Sequence, residues 1–381
     1  MAEMAWAYII RSSDRELFKR CRRAWDFSSR ARQNYEPVKP PRVFDFDKAI
    51  RDALAVYYFP GMWEWNREIV LPLALEGFFK SMRNQRDEYA KQHTLSAEEE
   101  RDWNDHLEAG EMMLSRYFQW APTVDRFSPI RVETEFEVNI PDPLQPGHDL
   151  VVREGVPIRY RGRINLLVVD GYDAYWLVKH MVVSDEWEGL DHLLLDEQGV
   201  SYCWAWESFF LGMKIAGIIY NELRKDVSRR PGRSAGISLP VADSHASHQE
   251  MEPVAQHRRM YVQAAREPDQ IIKQQGNEFF RRTQVPRGRK ELKNIGRQLA
   301  LVAQDITGHD LRLYPNPSTE NCSSCAYTKP CIAMNEGSAV SAILETSFRK
   351  RGDAEIEEGR LGGSIWSVDR GAMPPNSGEK T

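Results

Sequence analysis

Long apolar runs are what this chain most lacks. No stretch of its 381 residues approaches the roughly 20 consecutive apolar positions that cross a bilayer. The opening, MAEMAWAYIIRSSDRE, has no basic segment followed by a long apolar run, so no signal peptide is expected. Cysteine is scarce too. Five cysteines are too few for a dense disulfide scaffold, and without an export signal they point to a reducing, cytoplasmic setting. There, clustered thiols read as metal ligands before disulfides. An excess of positive charge is also absent: 51 Lys and Arg stand against 56 Asp and Glu, a net charge of −5. A uniformly basic nucleic-acid binder is therefore excluded, and any such surface must be a local patch. Internal repeats are missing, which excludes a solenoid.

What remains, 41% hydrophobic and 28% charged, suits a folded globular chain. Ser13 and Glu16 form an S-x-x-E capping box, and Leu17, Phe18, Cys21, Ala24 and Trp25 repeat at helical spacing behind it. A break at Pro37, Pro40 and Pro41 precedes a second amphipathic helix through Ala49, Ile50, Ala53, Leu54 and Tyr57. Residues 1–62 thus read as N-terminal helices, and 63–130 as a helical insertion.

The period then changes. In RVETEFEVNI, apolar residues alternate with Glu133, Glu135 and Glu137, which predicts a half-buried strand whose glutamates face solvent. Strands follow at about 157–169 and 174–183, joined by a turn in which Gly171 is the expected positive-φ residue. A helix from about 196 to 212 and the strand KIAGIIYNEL complete a core over 131–225. Residues 226–257, with Arg229, Arg230 and Arg233, read as a mobile basic loop. Helices and a cysteine cluster are expected over 258–350, and a disordered tail over 351–381.

Cys322, Cys325 and Cys331 give C-x2-C-x5-C. Three soft sulfur donors at that spacing suit an iron–sulfur cluster or zinc. Cys21 is the best fourth ligand, because Cys203 lies inside the core helix. Such a site would join the first helix to the C-terminal region.

These pieces together resemble the RecB-type nucleases of the PD-(D/E)XK superfamily, in particular the CRISPR-associated RecB-like iron–sulfur exonucleases and their phage and actinobacterial relatives. CRRAWDF resembles the opening helix with its first cluster cysteine. FDFDKAIRDALAVYY is similar to the G-x-x-x-H helix, and YRGRINLLVVDGYDAYWLVKHM to the GRID hairpin that ends in E-x-K. LDEQGVSYCWAW resembles the Q-x-x-x-Y motif, and YPNPSTENCSSCAYTKPC the cluster loop. The blocks run in order from Cys21 to Cys331. The resemblance implies an α/β PD-(D/E)XK core with a mixed sheet, a helical insertion, and a 4Fe-4S cluster on Cys21, Cys322, Cys325 and Cys331, with zinc as the alternative.

The same resemblance locates the catalytic positions, and none holds the expected residue. Arg51 stands at the histidine, Asn165 at the aspartate, Lys179 at the glutamate and Met181 at the lysine. The usual set sums to −1 with a neutral histidine, whereas these four sum to +2. One fixed positive charge about 4 Å from a divalent ion costs roughly 8 kcal/mol at an effective dielectric near 20. A catalytic divalent metal is therefore not expected, while a phosphate suits Arg51 and Lys179. Gln198 and Tyr202 keep the Q-x-x-x-Y spacing and are candidates for nucleic-acid contact beside an ordinary structural role. His180 reads as a satisfied polar residue, and Trp63, Trp65, Trp204 and Trp206 as core.

The expectation is a degenerate nuclease that binds DNA through its former active-site groove, alone or with a protein partner in a repair, recombination, phage or defence complex. Two alternatives stay open. One is an active exonuclease whose ligands have migrated to Asp170, Asp173, Asp185 or Glu207. The other is a structural subunit that no longer touches nucleic acid.

Overall fold

Period-two sequence becomes three long strands: β3 (Phe127–Asn139), β4 (Ile158–Asp170) and β5 (Tyr175–Val183). The structure is a computed structural model that describes residues 7–152, 155–184, 186–225 and 272–352. Ahead of these strands lie β1 (Tyr8–Arg11), α1 (Ser12–Arg20), α2 (Arg22–Ser28), β2 (Tyr35–Pro37), α3 (Phe46–Tyr57), α4 (Arg67–Ala90) and α5 (Ala97–Val124). After them come α6 (Leu190–Leu194), α7 (Glu197–Phe209), β6 (Ile215–Arg224), β7 (Lys273–Gly276), β8 (Phe280–Pro286) and α8 (Arg289–Thr307). The cysteine-bearing end carries α9 (Thr319–Ser323), α10 (Thr328–Glu336), α11 (Val340–Ser347) and β9 (Phe348–Lys350). Among the described residues, no helix is long and apolar enough to cross a membrane.

The main sheet runs β1-β4-β5-β6-β8-β7, with β3 also paired to β4. It is mixed: β1 is parallel to β4 and β5 to β6, and the other pairs are antiparallel. This is the α/β class with a mixed sheet and flanking helices. Alternation along the strands serves two cores. Leu166, Val168, Trp176, Val178 and Ile219 pack with α3, α4 and α5 on one face. Leu167, Leu177, Ile218 and Tyr220 pack with α7 and α8 on the other. Gly162 is required by this second layer. A Cβ there would lie 2.5 Å from Phe136 and 2.9 Å from the Tyr202 ring, which seats α7 directly on β4.

Several expectations need correction. The first helix is capped by Asp14, not by the Ser13–Glu16 box: β1 extends to Arg11, and the Asp14 carboxylate accepts the Arg11 N–H at 3.1 Å. That helix also breaks at Cys21, whose backbone is extended, so α1 and α2 are separate. In the β4–β5 turn the positive φ belongs to Asp173, at 59°, not to Gly171. The Asp170 carboxylate closes that turn by accepting N–H groups of Tyr172 and Ala174. The described part of 258–306 is helical only from Arg289. Before it, β7 and β8 form a hairpin on the main sheet, so the core extends beyond 131–225. The alternation in FRRTQVP is masked because one of its buried residues is Arg282. That guanidinium is neutralised by Asp125 and donates to the Tyr58 and Tyr117 hydroxyls at 2.7 and 2.8 Å.

The two ends of the described chain meet. β2 pairs with β9, and the Tyr327 ring stacks between Phe27 and Phe348 at centroid distances of 5.4 and 5.3 Å. The expected basic loop and nearly all of the expected disordered tail lie outside the described residues.

Candidate functional site

β4 pairs with β1 as far as Arg161 and with β5 only from Leu166. β5, meanwhile, stays paired with β6 through Val183. The sheet therefore forks at residues 162–165, and a cavity of about 400 Å³ opens at the fork. Its wall takes Arg51 from α3, Glu133 from β3, Arg163 and Asn165 from β4, Lys179 and His180 from β5, and Gln198 and Tyr202 from α7. Arg51, Asn165, Lys179, Gln198 and Tyr202, singled out from separate sequence blocks, thus share one cavity. Met181 does not line it and packs instead against the core beneath α7 and α8.

Asn165 spans the fork. Its Oδ1 accepts the backbone N–H of His180 at 3.1 Å, and its Nδ2 donates to Glu133 Oε1 at 3.0 Å. Lys179 Nζ lies 3.0 Å from Asp196, immediately before α7. Gln198 Nε2 donates to Ser12 Oγ at 3.0 Å, and the Tyr202 hydroxyl lies 3.1 Å from the same oxygen. These two side chains therefore fix the start of α1 as well as line the cavity.

Sequence reasoning missed Glu133. It is not on a solvated face: only 14% of its side-chain surface is exposed. Its φ of 41° marks an irregularity in β3 opposite Asn165. Burial pushes its carboxyl up to about 7, against the opposing pull of Arg163, the Asn165 hydrogen bond and Arg51. Arg163 Nη1 lies 3.8 Å from it. Glu135 and Glu137 are likewise engaged, by Arg163 at 3.1 Å and by Arg159 at 2.9 Å together with Arg161. The R-x-R-x-R spacing of Arg159, Arg161 and Arg163 was the available signal for this cross-strand ladder, in which Arg163 faces Glu135 and Arg161 faces Glu137.

His180 is satisfied, as its sequence context suggested. Burial, Arg282 and Arg51 push its pKa down to about 3, so the ring is neutral. Its Nδ1 accepts from Asn221 Nδ2 at 2.9 Å, which leaves the proton on Nε2. The Asn221 amide is oriented by Arg282 Nε, which donates to its oxygen at 3.0 Å.

Two of the acids named as substitute metal ligands have other partners. Asp170 holds its own turn and accepts Trp176 Nε1 at 2.9 Å. Glu207 binds Arg289 at 2.6 Å and accepts the Ile215 N–H at 2.6 Å. Asp173 takes the left-handed position of the turn, and Asp185 lies outside the described residues. Of the tryptophans, Trp206 is fully buried and Trp63 and Trp204 are partly buried against the cores, while Trp65 is 51% exposed.

The structure brings the candidate cluster cysteines to one region. Cys21 and Cys325 pack against the same group of Ala24, Phe27, Tyr327, Leu344 and Phe348. Arg23, two residues after Cys21, lies 3.5 Å from Cys331 Sγ. The Cys325 N–H donates to the Cys322 carbonyl at 3.2 Å. Asn316 donates to the Arg20 carbonyl at 3.0 Å, and the Arg23 N–H to that of Tyr314 at 3.2 Å, which ties the cysteine loop to the α1–α2 break. Thiol sulfur is the donor type that a soft metal or cluster takes. Among the described residues, no three His, Cys, Asp or Glu side chains converge at metal-ligand spacing.

Compared with known proteins, the chain matches no family model and no curated sequence.

Proposed function

We propose that this protein is a catalytically degenerate relative of the RecB-type PD-(D/E)XK nucleases that binds DNA without cutting it. One observation carries the reading: Arg51, Arg163 and Lys179 converge on a single cavity at the fork of a mixed sheet, and among the described residues its wall holds one carboxylate, Glu133. Lys179 is paired to Asp196 and Arg163 to Glu135, so an entering phosphate would exchange with these carboxylates for the cations, while the wall lacks the cluster of acids that a divalent ion needs. Arginine offers a planar fork for two phosphate oxygens, and Lys179 a point charge. The partners found for Asp170 and Glu207 weigh against an exonuclease with migrated ligands.

Cys21, Cys322, Cys325 and Cys331 are proposed to hold a 4Fe-4S cluster, with zinc as the alternative. When bound, the group supplies a covalent cross-link between the α1–α2 break and the C-terminal loop. The residues themselves already bring these segments together through Arg23, Asn316 and the Tyr327 stack.

The test is a salt titration of affinity for duplex and single-stranded DNA, with a cleavage assay in magnesium and manganese on the same preparation. Binding without cleavage is the expected outcome. Metal-dependent cleavage would overturn the degenerate reading, and absence of binding at physiological salt would favour a purely structural subunit.

A further inference from the structure

The cationic cavity contains its own anion. Glu133 enters it from β3, opposite Asn165 and within 3.8 Å of Arg163. It stands where a bound phosphate would compete for the same cations. The surrounding groups come from every element of the wall. α3 contributes Arg51 and Asp52, the latter already taken by Lys48 at 2.7 Å and Ser81 at 2.6 Å. β4 contributes Arg163 and Asn165, and Arg163 is shared with Glu135 on β3. β5 contributes Lys179, paired to Asp196, and the neutral His180. α7 contributes the uncharged Gln198 and Tyr202.

With Glu133 ionised, a phosphate entering this space meets a carboxylate in a confined volume where water screens poorly. With Glu133 protonated, the repulsion vanishes, and the carboxylic acid gains an O–H that can donate to a phosphate oxygen. Asn165 Nδ2 can still donate to Oε1 in either state. We propose that Glu133 is an internal counter-anion, and that phosphate binds in this cavity with uptake of one proton by its carboxyl group. The proton comes from solvent or buffer, where one bond to hydrogen breaks as the Glu133 O–H forms, and DNA affinity rises as pH falls. This inference rests on the DNA-binding reading above and adds a regulatory residue to it. The buried carboxyl, which titrates at about 7, places the transition near neutrality.

The experiment measures affinity for a short labelled DNA duplex at constant ionic strength, from about pH 6 to about pH 9. Wild-type affinity should fall by up to about tenfold per pH unit above neutrality and level off below it. Glu133→Gln should bind tightly with a flat profile over the same range, because the neutral amide mimics the protonated acid. A second measurement does not depend on the variant folding. Binding calorimetry of the wild type in two buffers of different ionisation enthalpy should show uptake approaching one proton on the alkaline side and little on the acid side. Equal pH slopes for wild type and variant, or binding without proton uptake at any pH, overturn the inference alone and leave DNA binding intact. No binding by either protein at any pH overturns the binding reading, and this inference with it.

Discussion

The side-chain amide of Asn165 donates to the Glu133 carboxylate across 3.0 Å, at the point where β4 loses contact with β5. An aspartate at position 165 could accept the His180 N–H but could not donate to Glu133. It would instead place a second carboxylate against the first. Two acids at that distance cannot both ionise without cost. Asn165→Asp is therefore expected to destabilise the protein by about 2 kcal/mol at mildly alkaline pH and by less at acid pH. Urea unfolding at both pH values measures this. An unchanged midpoint on the alkaline side would mean that the pair does not exist in solution.

Glu133 should also shape the pH dependence of stability. Its folded-state pKa, about 7, lies above the ordinary carboxyl value of 4.5. A raised acid favours the protonated fold, so its stabilising contribution is fully present below 4.5 and lost as pH rises through 7. The loss should amount to about 3 kcal/mol across that window. Glu133→Gln should match wild type in acid and exceed it by about that amount in mild alkali. Parallel stability curves for the two proteins would argue that Glu133 is not buried.

Lys179→Met should weaken DNA binding uniformly across sequences and reduce the slope of log affinity against log salt by roughly one unit. Lys179→Arg, which keeps the charge near Asp196, should retain most of the affinity. Fluorescence anisotropy over a salt series reads both. Equal affinity and slope for wild type and Lys179→Met would remove Lys179 from the interface.

Protein purified without oxygen should carry iron and sulfide, with visible absorption that Cys322→Ala abolishes. That variant should also unfold at a lower temperature, because cluster binding contributes to folding. Elemental analysis decides the metal: stoichiometric zinc without iron would replace the cluster with a zinc site on the same four sulfurs.

The order β3, β4, β5, α7, β6 was legible because each of these segments carries its own local pattern, alternation in β3 and an apolar run in β6, whereas β1 and the strands beyond residue 225 were not read from the sequence. Arg51, Asn165, Lys179, Gln198 and Tyr202 were named as candidates through the resemblance of their separate sequence blocks to nuclease motifs. Their meeting in one cavity depends on where β1 and β5 leave β4 unpaired, a long-range pairing that no local window encodes. The β8 strand was hidden for a similar reason. Arg282 reads as a solvent residue until Asp125, Tyr58, Tyr117 and Asn221, from three other parts of the chain, surround it. Glu133 shows the limit most clearly. Alternation correctly made it part of a strand and, by the same rule, assigned it to solvent. Only the irregular turn of β3 at Glu133 and the neighbouring α3 and β4 bury it, because burial belongs to the surroundings that distant segments build and not to the residue's place in a pattern.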